Sequence, residues 1–413
     1  MRNLTKGCEV GFKGKTLIDG ELREVTLISK GEILEVRSSS PPCPCEICIK
    51  ENDLIALPGM IDIHIHARDW NLSYKETIES ATRAALRGGV VAVFDMPNTS
   101  PKVDTFERVK KRIEDFNEKS YVDFGVYSAL PPSEEELRRV LGLPIAGIKL
   151  FPEDYRRAEM LRDANVFTIV HPEWPDMIKE SPNPGERSYT RNPLAELEAV
   201  KRLSFLKNVH FTHVSFPEAV REARRRRKSF DSTPHHLLLN SRRERELGCY
   251  SKVNPPLRSE SVQRELLEEF LRSPWIISTD HAPHAPYEKD RDFLSCPSGF
   301  PGLEVALPKL LSLVKTGLIT LKDVVWSYSE GPAKLMGLWP KLGALKSGSL
   351  ASFTIVRLSS KTLNPLEFES KAKFSPFEGT PVGEVVATVI RGTLAYHEGS
   401  FKKPQARNIV ELA

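Results

Sequence analysis

A (β/α)8 TIM barrel of the α/β class, carrying a small β-sandwich built from both chain ends, is the fold this sequence predicts. Three observations predict it. From Leu57 onward, short apolar strands alternate with amphipathic helical stretches, the pattern of βα units around a parallel sheet. Eight such strands fall within 57–344, roughly 290 residues, the count and size of a closed barrel. The two ends of the chain read differently, as short alternating strands separated by glycine turns, in TLISKGEILEV near the start and GEVVATVIRGTLAY near the finish.

The predicted barrel strands are LPGMIDIHIHA from Leu57, VVAVFDMPN from Val90, YVDFGVYSAL from Tyr121, IAGIKLF from Ile145, NVFTIVHPE from Asn165, NVHFTHVS from Asn208, KSFDSTPHH from Lys228 and WIISTDHAPH from Trp275. The helices between them have recognisable ends. Gly88-Gly89 stops the first, ETIESATRAALR, before the second strand. Ser133 with Glu136 predicts a capping box for SEEELRRVLG, and Asn192-Pro193 opens PLAELEAVKRLSFLK with a cap and a first-turn proline. The basic run Arg224 to Lys228 reads as a solvated helix end whose charges suit the C-terminal dipole. The expected division is 1–56 and 345–413 for the two parts of the sandwich and 57–344 for the barrel.

Composition narrows the partners. The 413 residues carry 59 Lys+Arg against 55 Asp+Glu, a formal charge of +4, so no global field argues for nucleic acid or a membrane surface. MRNLTKGCEV lacks a basic-then-apolar signal pattern and no long apolar run follows, which makes a cytoplasmic location the expectation. Three of six cysteines cluster in PPCPCEIC, at Cys43, Cys45 and Cys48, and only Cys8 nearby could complete a four-ligand clip. A structural zinc or a disulfide is one reading; a proline-rich loop with incidental thiols is the plainer one, and the expected one.

Barrel chemistry sits at the C-terminal ends of the strands. His64 and His66 end the first strand two positions apart and so face the same way. A lone His-x-His is more often an incidental polar face. Here, however, Lys149 ends strand four, His171 strand five, His213 strand six, His235-His236 strand seven, and Asp280, His281 and His284 strand eight. Four imidazoles and a carboxylate exceed what one catalytic zinc needs, which points to two metals. Paired ions need a bridging anion, and an ammonium has no lone pair to give. Lys149 could serve if carboxylated, because a carbamate has two anionic oxygens.

HxHxR (His64, His66, Arg68), DMPNT from Asp95, GIKLF from Gly147, VHPE from Val170, THVS from Thr212, STPHHLLL from Ser232, KVNPPLR from Lys252, STDHAPH from Ser278 and GFPGLE from Gly299, in this order, closely resemble dihydroorotase of the amidohydrolase superfamily. The resemblance spans about Leu57 to Leu338 and continues weakly through GALKSGSLASF. It implies two Zn2+ per subunit, one held by His64, His66 and Asp280, the other by His171 and His213, bridged by N6-carboxylated Lys149 and a hydroxide. It implies reversible cyclisation of N-carbamoyl-L-aspartate to dihydroorotate in pyrimidine synthesis, with the hydroxide as nucleophile and Asp280 as catalytic proton shuttle. Arg68, Asn98, Asn254 and His284 occupy the positions that bind the substrate carboxylate, and backbone at Gly299 the position that meets the ring amide. His235, His236 and His281 would orient ligands. A homodimer and an assembly with aspartate transcarbamoylase are arrangements the resemblance allows. Two features depart from the family. Asp69-Trp70-Asn71 follows Arg68 where Glu-Pro-Gly is common, and the stretch from Lys149 to His171 is short. The alternatives are a sibling hydantoinase or allantoinase, which would share the metals but not the carboxylate pocket, and a non-catalytic scaffold partner of aspartate transcarbamoylase, which would have lost ligands that this chain keeps.

Overall fold

The computed structural model describes residues 8–18, 20–38 and 42–412. Eight parallel strands follow one another in sequence order around the barrel: β1 (Met60–Ile65), β2 (Val90–Asp95), β3 (Asp123–Ala129), β4 (Gly147–Leu150), β5 (Thr168–Val170), β6 (Val209–Phe211), β7 (Ser229–Ser232) and β8 (Ile276–Ile277). A parallel bridge between Ile65 and His281, with His66 N–H donating to the His281 carbonyl at 2.8 Å, joins the last strand to the first. β1 and β2 are buried along their whole length, as strands covered on both faces must be. The strands are shorter than their apolar runs predict because the polar residues at their ends leave the ladder and form the barrel mouth.

The predicted helix ends are largely those observed. Thr77 caps the helix Ile78–Arg87, which turns Ile78, Ala81 and Ala85 inward and stops at Gly88. Ser133 accepts from Glu136 N–H, but the Glu136 carboxylate turns away to Phe106 N–H, so half of the box forms. Asn192 caps the helix Leu194–Leu203 through Leu194 N–H. The short stretch after Lys149 holds only a 3-10 helix, Pro152–Leu161. Arg225 and Arg226, at the end of the helix Pro217–Arg225, pair with Glu222 near the surface. No helix among the described residues is long and apolar enough to cross a membrane.

The two chain ends meet as expected, in one nine-stranded sheet. Leu54–Pro58 pairs antiparallel with Phe353–Thr362, Ala56 facing Ile355, and this joint links the N-terminal strands to the C-terminal ones. Phe12 and Leu27 from one end share a core with Phe353, Ile355 and Val389 from the other. Arg391 ties sheet to barrel: its buried guanidinium donates to Asp123 of β3 and to the Gln405 carbonyl.

The cysteines correct the expectation of incidental thiols. Cys8 pairs with Cys45 and Cys43 with Cys48, because the strand Ile47–Ile49 runs parallel to Val10–Ile18 and carries the CPCEIC segment onto the N-terminal strand. A third, buried disulfide joins Cys249 to Cys296.

Candidate metal and substrate site

His64 lies inside β1 and Lys149 inside β4, while His66, His171, His213 and Asp280 stand one to three residues past their strands. This difference brings side chains from five strands to one depth. Asp280 Oδ1 is 2.9 Å from His66 Nε2 and 3.3 Å from His64 Nε2, and potential ligand atoms of these three residues lie within 4.8 Å of one another. The rings of His64 and His213 are 5.1 Å apart and those of His171 and His213 4.6 Å. His64, His66, His171, His213, Asp280 and Lys149 line one cavity of about 240 Å³.

The electrostatics suit cations. Burial, reinforced by Lys149, holds the His64 imidazole well below its usual range, and burial beside His171 does the same for His213. Burial also lowers His66, against the pull of Asp280. These rings are therefore neutral and offer lone pairs, the form that coordinates metal. His213 Nδ1 and Lys149 Nζ are buried and have no hydrogen-bond partner. An orphaned buried amine is costly. Burial pushes Lys149 down to about 7, so its neutral form, which reacts with CO2, is within reach. The donor set and these two orphaned atoms fit a binuclear metal centre with a modified lysine.

Three of the histidines are oriented from behind. His64 Nδ1 meets Thr212 Oγ1 at 2.6 Å, and His66 Nδ1 meets Asn98 Oδ1 at 2.5 Å. His171 Nε2 lies 2.7 Å from Glu173 Oε2, which leaves Nδ1 as the free donor. Burial would raise the Glu173 carboxyl, but Arg191 and His171 outweigh it and hold the group well below the carboxylate range. Asp280, His213 and Arg68 all sit in left-handed backbone, at φ 48, 44 and 53°. Three buried aspartates hold these turns. Asp62 accepts from His64 and Thr279 N–H, Asp95 from Ala67 N–H, and Asp231 from His213 N–H.

The residues expected to meet the substrate are divided between lining and support. Arg68, Asn98, Asn254 and Gly299 line the cavity. The Arg68 guanidinium gives Nε–H to the Pro283 carbonyl and approaches His284 with Nη2. Asn98 and Asn254 have their Oδ1 atoms engaged by His66 and by Arg187 and Ser298, which frees both amide N–H groups for a ligand. The Gly299 N–H is taken by the Lys252 carbonyl, and a Cβ there would lie 2.5 Å from the Ala282 carbonyl oxygen. His284 stands behind Arg68, its nitrogens facing Lys75 Nζ at 3.0 Å and the Ser298 carbonyl at 2.9 Å. His236 bridges Thr233 and the Pro255 carbonyl, and His281 Nδ1 accepts from Gly302 N–H, so both act as supports. Sequence reasoning missed Arg191 and Phe151 in the lining and the three aspartates beneath it. An aspartate inside an apolar strand, as in MIDIHI and VVAVFD, was the available signal.

Barrel, appended sheet and histidine cluster define an amidohydrolase, and the amidohydrolase family profile matches residues 189–395. The dihydro-orotase-like profile matches residues 53–156. Relatives named dihydroorotase are 37% identical in Pyrobaculum aerophilum (96% of this chain, 98% of the relative), 35% in Pyrococcus furiosus (98% and 96%) and 33% in Sulfolobus acidocaldarius (93% and 94%). Within the amidohydrolases, the chain belongs to the dihydroorotase family. Solved structures show the same fold at lower identity. An L-hydantoinase from Arthrobacter aurescens superposes with TM-score 0.88 at 23% identity, covering 96% of this chain and 97% of its own, and a D-hydantoinase with 0.87 at 22%, covering 97% and 98%.

Proposed function

We propose that this protein is a dihydroorotase, a cyclic amide hydrolase that interconverts N-carbamoyl-L-aspartate and dihydroorotate. The observation that carries the reading is the buried Arg68 guanidinium at the edge of the ligand cluster, its Nη1 unpaired among the described residues. A planar fork beside two free amide N–H groups is what a carboxylate requires. A hydantoin carries no carboxylate and would leave that cation unmatched, which disfavours the sibling reading despite the shared fold.

His64, His66 and Asp280 would hold one zinc ion and His171 and His213 a second, with carboxylated Lys149 between them. Bound there, two such ions supply Lewis acidity, making water a nucleophile near neutral pH and polarising the amide carbonyl. The protein's own part is orientation and proton transfer. Arg68, Asn98 and Asn254 fix the carboxylate, so the scissile amide lies over the histidines. Asp280 stands at the centre of the cluster, where its carboxylate can take a proton from the attacking water and return it to the departing ring nitrogen. In the cyclising direction it runs the same transfer backwards. Gly299 offers its carbonyl to the ring amide, and its lack of a side chain lets this segment pack against Ala282.

Turnover of dihydroorotate, allantoin and hydantoin by the purified protein tests the assignment. Hydrolysis of dihydroorotate alone is expected, and its absence refutes the reading. Metal analysis is expected to give about two ions per chain; less than one would favour the scaffold alternative. A cytoplasmic location, and assembly as a homodimer or with aspartate transcarbamoylase, belong to the same proposal; fractionation and co-purification test them.

A further inference from the structure

We propose that Cys8, Cys43, Cys45 and Cys48, when reduced, form a four-thiolate site for a soft divalent cation such as zinc, separate from the barrel mouth. The four sulfurs are one cluster. Glu46 N–H donates to the Cys8 carbonyl at 3.0 Å and Ile47 N–H to the Glu9 carbonyl at 3.0 Å, which lays the CPCEIC segment along the first strand. Gly11 faces Cys48 in that pairing. A Cβ on Gly11 would lie 2.5 Å from the Cys43 sulfur and 2.7 Å from the Cys45 sulfur. The two disulfides thus converge on the space left by one absent side chain, and Cys8 and Cys48 are bonded to the sulfurs that fill it.

The chemistry of that set is specific. A Cys-x-Cys-x2-Cys segment with a fourth cysteine from a neighbouring strand supplies four sulfur donors to one point, and closed structural zinc sites require four. All four cysteines are half-buried, so the ligands are shielded without being sealed off. Cys43 and Cys48 open onto a cavity lined by Lys13 and Lys50 and by Glu24 and Glu51, two charges of each sign, so it is the four sulfurs and not the surrounding field that select the cation.

The oxidised and metal-bound forms interconvert with defined stoichiometry. A dithiol reductant gives each disulfide two electrons and two protons and is itself oxidised to a disulfide. Binding M2+ to the four resulting thiols releases four protons and leaves a complex of charge −2. The structure holds the oxidised form.

The test uses the full chain, reduced with a dithiol, freed of reductant under anaerobic conditions and loaded with Co2+. The reduced protein is expected to bind about one more cobalt per chain than the oxidised protein. It should also show intense sulfur-to-cobalt charge-transfer absorption, which the histidine and carboxylate ligands of the barrel cannot produce. The double variant Cys43→Ser/Cys48→Ser should lose that absorption and that ion, and keep its turnover of dihydroorotate. Absorption that is missing from the reduced wild type, or unchanged in the variant, overturns the proposal. So do disulfides that resist the dithiol. If the variant fails to fold, the oxidised and reduced wild-type protein decide the matter by themselves.

Discussion

Replacing Arg68 with methionine isolates carboxylate recognition from metal chemistry. The guanidinium gives Nε–H to the Pro283 carbonyl at 3.3 Å, and Nη2 stands 3.2 Å from His284 Nε2, which itself faces the Ser298 carbonyl. Nη1 and the second hydrogen of Nη2 remain, and they lie side by side, as a bidentate carboxylate needs. A hydrogen bond to a charged group contributes about 1.5–3 kcal/mol, so two contribute about 3–6 kcal/mol. At 1.36 kcal/mol per factor of ten, kcat/KM for dihydroorotate should fall by about 10²–10⁴. Methionine keeps the apolar stem and meets the same left-handed backbone, φ 53°, so neither packing nor strain should dominate the change. The assay is steady-state turnover with metal analysis of the same samples. Arg68→Lys, which keeps the charge without the fork, should fall between. A loss smaller than tenfold, or a loss accompanied by missing metal, refutes the carboxylate role.

Asp280→Ala should lower kcat by at least the 10²–10⁴ typical of a positioned acid–base group, measured in both directions; near wild-type turnover would end its role as shuttle. Lys149→Ala removes the one lysine amine that lines this cavity among the described residues and should reduce the bound metal along with the rate, read by elemental analysis. Full activity with both ions retained would exclude the bridge. Arg391→Ala leaves buried Asp123 without its guanidinium, holding only the Arg407 N–H, and breaking such a buried pair costs about 3–5 kcal/mol. A lower denaturation midpoint is expected, with little change in turnover at low temperature, because Arg391 lies at the sheet–barrel joint, away from the mouth.

How much of this was legible follows from what each feature depends on. The eight strands, and the convergence of His64, Lys149, His171, His213 and Asp280 on one cavity, could be read because strand periodicity and residue chemistry are local: each of these residues sits in or just past an apolar run. The joining of the chain ends was legible from the short alternating strands and glycine turns at both ends. The register of Leu54–Pro58 against Phe353–Thr362 was not, since the two segments are hundreds of residues apart. The cysteine pairs were misread for a similar reason. Cys8 and Cys45 meet only because a three-residue strand happens to run parallel to the first. His284 was read as a direct contact, and whether it touches substrate or stands behind Arg68 depends on the path of the chain after Pro283, which no motif encodes.

The backbone beneath the site explains why the buried aspartates are there at all. Left-handed backbone at a non-glycine residue costs about 1–3 kcal/mol, and the mouth holds it at Arg68, Asp69, Trp70, His213 and Asp280. A glycine would relieve the strain but could not carry a guanidinium, an imidazole or a carboxylate. The strain is met instead by carboxylates: Asp95 bonds the amide just before Arg68, Asp231 that of His213, and Asp62 that of Thr279, just before Asp280. Each such bond contributes about 1.5–3 kcal/mol, the same magnitude as the strain it offsets. The price is desolvation, visible in Asp62, which burial pushes up to about 6. Asp231 shares the load with His210 at 2.7 Å and Ser278 at 2.7 Å. The aspartates therefore act through the backbone, fixing the turns that aim His213, Asp280 and Arg68 into one cavity.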